Sequence, residues 1–351
     1  MSPRLTRWQA AAAPPSRATV WRHIRALRYQ PPGRASRGDR KHVFCSAFEQ
    51  AEQLFTAAET VGYASRPILL FYGLSQAGRA IAAASTAADN NNFRLTSHGI
   101  KAPSLNQRPP LHELTVIDEG TGSFTQLAPL LRSGTLPDGA PLGQIWTSIP
   151  GLLDQPLAST SEYLPPLRFE AENVQGLGAQ QQEVHGWVHG LPARLSAAAD
   201  PRRAVHDFLA GYPSLAGSSQ SRLADGIFPD DPQTGSGKVM RCWPWTGPVG
   251  PRPAADLLED FEDRCTLPYL GDDDRWVFAA LGGGQTALHP LLAWWALLFA
   301  LSMLARYEPA SWTGHLDVDV SPSAVPLESA LGYALDACPQ LILYAIRAVS
   351  S

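Results

Sequence analysis

The stretch Pro290-Leu291-Leu292-Ala293-Trp294-Trp295-Ala296-Leu297-Leu298-Phe299-Ala300-Leu301-Ser302-Met303-Leu304-Ala305-Arg306 decides the fold. Between Leu291 and Ala305 only Ser302 is polar. Apolar residues fall on every face, so this helix is surrounded either by protein or by lipid. At about 1.5 Å per residue the segment reaches roughly 22 Å, short of the ~30 Å hydrocarbon slab. Its ends read as those of a core helix. His289 stands at the cap, Pro290 in the first turn, Arg306 at the negative end of the dipole, and Pro309 blocks continuation. The expectation is a helix buried in a protein core.

Working outward, a second apolar helix is read at Ser65-Arg66-Pro67-Ile68-Leu69-Leu70-Phe71-Tyr72-Gly73-Leu74, running on through Ala84. Ser65 is its expected cap and Pro67 lies in its first turn. Its small residues Gly73, Ala77, Gly78 and Ala80 to Ala84 let another helix backbone approach closely, so it is expected to pack on the 290–306 helix. Before it, Phe44, Phe48, Ala51, Phe55 and Ala58 recur at helical spacing.

The signals change from about 91 to 255. Leu114–Ile117, Leu167–Glu170, Glu183–His189 and Lys238–Trp243 read as strands. Ala140 to Leu153 and Ala204 to Leu209 read as helical pieces, and Leu215 to Gly237, rich in Ser, Gly, Asp and Pro, as a mobile loop. Helices return at roughly 254–265, 287–306 and 327–349, the last interrupted or kinked at Pro339. The fold class is therefore α+β: a predominantly helical body, with amino- and carboxyl-terminal helices packed together around a mixed insert of short strands. The body is read as one domain over 43–351, helical over 43–90, mixed over 91–255 and helical over 256–351.

Charge is unevenly spread. The net charge is −4, from 28 Lys and Arg against 32 Asp and Glu. Residues 1–42 hold nine Arg and Lys41 against Asp39 alone, which leaves 18 bases and 31 acids for the rest. Residues 1–42 are read as a basic, partly flexible arm, joined by the Pro/Gly/Arg-rich segment 31–39. Such an arm either folds back on the acidic body or uses Arg22, Arg25 and Arg28 on nucleic acid or anionic lipid. Trp21, Ile24, Leu27 and Tyr29 favour a short docking helix. Cys45, Cys242, Cys265 and Cys338 are scattered, with no Cys-x-x-Cys pair, which points to a reducing, cytoplasmic compartment. No membrane role, metal or cofactor is expected.

Three phrases carry a family resemblance. The first is His289-Pro290-Leu291-Leu292-Ala293-Trp294 continuing through Arg306-Tyr307-Glu308-Pro309-Ala310-Ser311-Trp312. The second is Gln50-Ala51-Glu52-Gln53 followed by Arg66 to Leu74, and the third is His98-Gly99-Ile100. Together they resemble the YaaC-like family of bacterial proteins. The resemblance implies a cytoplasmic, mainly helical protein and supplies no catalytic residue.

Familiar catalytic patterns are incomplete. Gly235-Ser236-Gly237-Lys238 lacks the first glycine and the Ser or Thr of a phosphate loop, because Pro232 and Val239 stand there. Gly282-Gly283-Gly284 lacks a following strand with its acid. His185 and His189, four apart on one strand face, stand about 13 Å apart, too far to share a metal. Asp230-Asp231 and Asp272-Asp273-Asp274 read as solvated loops. Gly-x-Ser-x-Gly is absent.

The candidate site is the end of the 290–306 helix. Arg306 presents a planar fork suited to phosphate or carboxylate, with Tyr307 beside it and His98 and Arg79 as expected neighbours. A non-catalytic or cryptically active binding protein for a partner protein or an anionic ligand follows. The alternative is a HEPN-like nucleic-acid-processing enzyme. Its Arg–His motif is missing, since His98 and His206 follow Arg94 and Arg202 one residue too closely and His315 lies beyond Pro309.

Overall fold

The computed structural model describes residues 15–88, 93–157, 163–176, 182–244, 254–271 and 275–351. The acidic run Asp272–Asp274 lies outside them. The chain opens with three helices: α1 (Arg17–Tyr29), α2 (Gly38–Thr60) and α3 (Arg66–Ala84). A three-stranded antiparallel sheet follows, built from β1 (Ile100–Lys101), β2 (Thr115–Asp118) and β3 (Ala140–Pro141). The helices α4 (Ser123–Leu130) and α5 (Leu142–Thr147) accompany it. Next come β4 (Leu167–Gly176), β5 (Gln182–Leu191), α6 (Pro201–Leu209), β6 (Ser219–Gln220), β7 (Phe228–Asp231) and β8 (Ser236–Pro244). The chain closes with α7 (Ala254–Cys265), β9 (Leu267–Pro268), β10 (Arg275–Val277), α8 (Pro290–Tyr307), α9 (Pro309–His315) and α10 (Ala324–Ser350). This is an α+β protein with a helical body.

Helix α8 lies at the centre, against α3, α4, α5 and α10. Neighbours on several sides explain its lack of a polar face. Although long and apolar enough to pass for a membrane span, it is mostly enclosed by the protein, and Trp294 and Trp295 are 0% exposed. Each large apolar side chain so buried contributes roughly 1.5–3 kcal/mol. His289 caps the helix, its Nδ1 accepting the Leu291 N–H at 3.1 Å. The expected contact with α3 exists but runs through Gly78, where a Cβ would stand 2.6 Å from Trp295 Cζ3. Gly73 instead faces Phe55 of α2. Ser65 takes the cap position of α3 without a side-chain bond.

Of the two readings of the basic arm, residues 17–42 follow the docking one. Val20, Trp21 and Ile24 of α1 are buried, and Trp21 stacks tilted on Phe55 at 5.4 Å. Arg17 bonds Asp336 of α10 and Glu59 of α2, each at 2.9 Å. Residues 17–42 thus belong to the body, and a boundary at 42 would cut α2, which starts at Gly38. The apolar stripe of α1 outweighs its basic composition. Tyr29 stays 83% exposed.

Other boundaries shift for local reasons. The piece expected to be helical over 140–153 opens as β3, because Ala140 and Pro141 pair with β2 before α5 begins. The expected mobile loop 215–237 contains β6 and β7, both paired with β8. Pro309 starts α9 rather than only ending α8. Helix α10 runs uninterrupted through Pro339.

The larger sheet is antiparallel, in the order β6-β8-β5-β4-β10-β9, with β7 also on β8. Phe169, Val188 and Val239 face each other across β4, β5 and β8. On the same side Trp243 and Phe169 meet Phe261 of α7, at 5.2 and 6.0 Å. Alternation sends His185, Trp187 and His189 to the other side.

Candidate functional site

Two helical rows and one loop build the corner at the end of α8. Residues 299, 303 and 306 of α8 lie one above another, as do 72, 76 and 79 of α3. The loop carrying His98 is held by α4, whose first amides, Ser123 and Phe124, donate to the carbonyls of Ser97 (2.7 Å) and His98 (2.9 Å). Gly99 (φ +76°) makes this possible, because a Cβ there would meet Gly122 backbone at 2.9 Å.

The Arg306 guanidinium lies 5.7 Å from the Tyr72 ring centroid and 4.8 Å from that of Tyr307, and it donates to Tyr307 Oη at 2.8 Å. Arg79 donates to the Leu95 carbonyl (3.2 Å) and to Gln76 Oε1 (2.8 Å). The His98 ring packs on Phe71 (5.4 Å) and Phe299 (5.8 Å). Partial burial lowers its proton affinity, and the charges of Arg306 and Arg79 lower it further, opposed by Glu119. The expected neighbours are thus brought together, although they lie 208 and 227 positions from Arg306 in the chain.

Among the described residues, no carboxylate lies within ion-pair distance of Arg79 or Arg306. Glu308, only two residues on, is held instead by Arg108 at 2.8 Å. Two permanent cations and one titratable imidazole therefore share a half-exposed corner of an acidic chain. Such an arrangement favours an anion that accepts planar N–H forks.

The three arginines assigned to nucleic acid are differently placed. Arg25 and Arg28 pair with Glu52 and Glu49 of α2, while Arg22 is exposed. Their charge is largely spent on docking α1. The glycine motifs serve as turns: Gly235 (φ +65°) bends the β7–β8 hairpin, and Lys238 lies 5.0 Å from the Trp187 ring centroid. His185 and His189 are buried and separately engaged, by Ser221 Oγ and by Asp230 Oδ1, each at 2.8 Å. Burial raises the proton affinity of Asp230, but the His189 and Gly190 hydrogen bonds outweigh it and leave the carboxyl below its usual range. Among the described residues, no group of three or more His, Cys, Asp or Glu could hold a metal ion.

A family model described as YaaC-like Protein matches residues 10–346. The chain belongs to the YaaC-like family. No curated protein matches it, and no solved structure does. The match starts ahead of α1, as expected for a first helix that is part of the body. In this YaaC-like chain the sequence phrases around His98, Arg66–Leu74 and Arg306 meet at one corner.

Sequence reasoning missed Tyr72, Gln76, Arg108 and the His189–Asp230 pair. Tyr72 and Gln76 had a usable signal, since they stand seven and three residues before Arg79 on one helix face. Arg108 had none, because its pairing with Glu308 spans 200 positions.

Proposed function

We propose that this YaaC-like protein is a cytoplasmic bacterial binding protein that recognises an anionic ligand through Arg306, Arg79 and His98. The observation that carries this reading is the gathering of both guanidinium groups without a carboxylate partner among the described residues. In a chain of net charge −4, acids were abundant enough to neutralise them. The four free cysteines agree with a reducing compartment. An anionic ligand is preferred to a partner protein because the cations are confined to one half-exposed corner.

Titration calorimetry with inorganic pyrophosphate tests it. Arg306→Lys should weaken binding by about tenfold, because the ammonium cannot present the planar fork, while the thermal midpoint stays nearly unchanged. Arg22→Ala, on α1, should leave affinity intact. Equal affinity in wild type and in an Arg306→Ala, Arg79→Ala double variant would remove the corner from the functional account.

A second reading draws on the same neighbours. An imidazole beside a guanidinium is the minimum for moving a proton near a held phosphate, so a nucleic-acid-processing enzyme of HEPN-like type is the alternative. RNA cleavage that persists in His98→Ala would exclude this corner as its active site.

A further inference from the structure

The corner does not end at the cations. Tyr307 is 56% exposed, and its ring both receives the Arg306 guanidinium and lines a depression of about 260 Å³. Ala102, Pro103, Leu105, Asn106 and Met303 complete the lining. Leu105 is buried and Met303 half-buried, so their side chains offer an apolar surface next to the aromatic ring. Asn106 alone among the lining side chains carries both amide donors and an amide acceptor.

We infer that the anion is the phosphate of a nucleoside phosphate, with its base lodged in the depression beside Tyr307; this rests on the anion-binding reading above. An inorganic ion would leave the apolar half of the corner unused. A large drug-sized ligand exceeds the space, which falls just below the usual range of about 300–1,000 Å³. A flat heterocycle fits three features at once. Its face matches the Tyr307 ring, its edge matches the Asn106 amide, and its phosphate matches the guanidinium forks. The nucleoside phosphate can be free or can end a strand, since both present the same chemistry.

Calorimetry on the full chain separates these cases with five probes: inorganic phosphate, ribose 5-phosphate, adenosine and uridine 5′-monophosphates, and a 5′-phosphorylated oligoadenylate. At least one mononucleotide should bind about tenfold or more tightly than ribose 5-phosphate, the scale of one stacked base. Tyr307→Ala and Asn106→Ala should each shrink that gain, and Tyr307→Phe should keep it. Thermal midpoints verify that these exposed-site variants remain folded. An oligoadenylate that binds at least as tightly as the mononucleotide assigns the ligand to strand ends, and weaker binding assigns it to free nucleotide; either supports the inference. Equal binding of ribose 5-phosphate and both mononucleotides would overturn the base pocket while sparing the anion site. Failure of every phosphate probe would overturn both.

Discussion

Arg108 holds the carboxylate of Glu308 at 2.8 Å and so keeps it away from Arg306, two residues upstream. The pair is asymmetric, with Arg108 well exposed and Glu308 only 16% exposed. Arg108 also sits in the left-handed region (φ 51°, ψ 52°), which disfavours a side chain by roughly 1 kcal/mol. A strained residue that sequesters an acid next to a cation cluster acts on the electrostatics of that cluster.

Arg108→Gly should therefore weaken pyrophosphate binding by roughly threefold or more, because Glu308 is then free to repel the anion. Stability should change little. The pair is exposed on its Arg108 side and contributes about 0–1 kcal/mol once the released Glu308 turns to solvent, and glycine relieves a similar backbone cost. Glu308→Gln in the same background should restore affinity. Calorimetry and urea denaturation measure the two effects, and a large stability loss without an affinity change would contradict the assigned role.

Sulfate affinity should rise as pH falls from about 7.5 to 5.5. His98 is neutral near neutral pH, its proton affinity lowered by burial and by Arg306 and Arg79. A bound anion offsets those charges, so binding takes up a proton below the usual histidine range of about 6.5. Sulfate keeps its own charge across this window, which makes it the cleaner probe. His98→Ala should flatten the profile, and an unchanged slope in that variant would place the titrating group elsewhere.

Helix contacts make a paired test of glycine. Gly78→Ala drives a Cβ to within 2.6 Å of Trp295 Cζ3 and should cost about 1–3 kcal/mol. Gly332→Ala on α10 meets nothing within 4 Å and should stabilise by about 0.5–1 kcal/mol. Denaturant unfolding of both variants should show opposite signs.

His289 ties stability to acid pH. Burial pushes its pKa down to about 4, and its Nδ1 must stay unprotonated to accept the Leu291 amide. Because the folded value lies below the unfolded one, the contribution is intact above about 6.5 and is lost as pH falls toward 4. At about 1.4 kcal/mol per pH unit the full loss is about 3 kcal/mol. His289→Asn keeps a capping oxygen without the titration and should narrow the stability difference between pH 7 and pH 4.5.

The sequence by itself determined the helices that form the core. Fifteen residues with one hydroxyl can only be enclosed, and the spacing of Phe44, Phe48, Ala51, Phe55 and Ala58 leaves α2 one face to bury. Periodicity is a local property, so these elements were readable residue by residue. So were the strands β2, β4, β5 and β8. Tertiary structure decided what composition misstates. The basic arm became a docked helix because Val20, Trp21 and Ile24 found an apolar surface and Arg17, Arg25 and Arg28 found carboxylates on α2 and α10. The 219–231 segment gained strands because β8 supplied a ladder. At the corner, Arg306 and His98 could be named from helix ends, but their meeting depended on α3 crossing α8. The release of Arg306 from Glu308 depended on Arg108, 200 positions away. Side-chain electrostatics acts through space, and no local pattern encodes which remote charge will arrive.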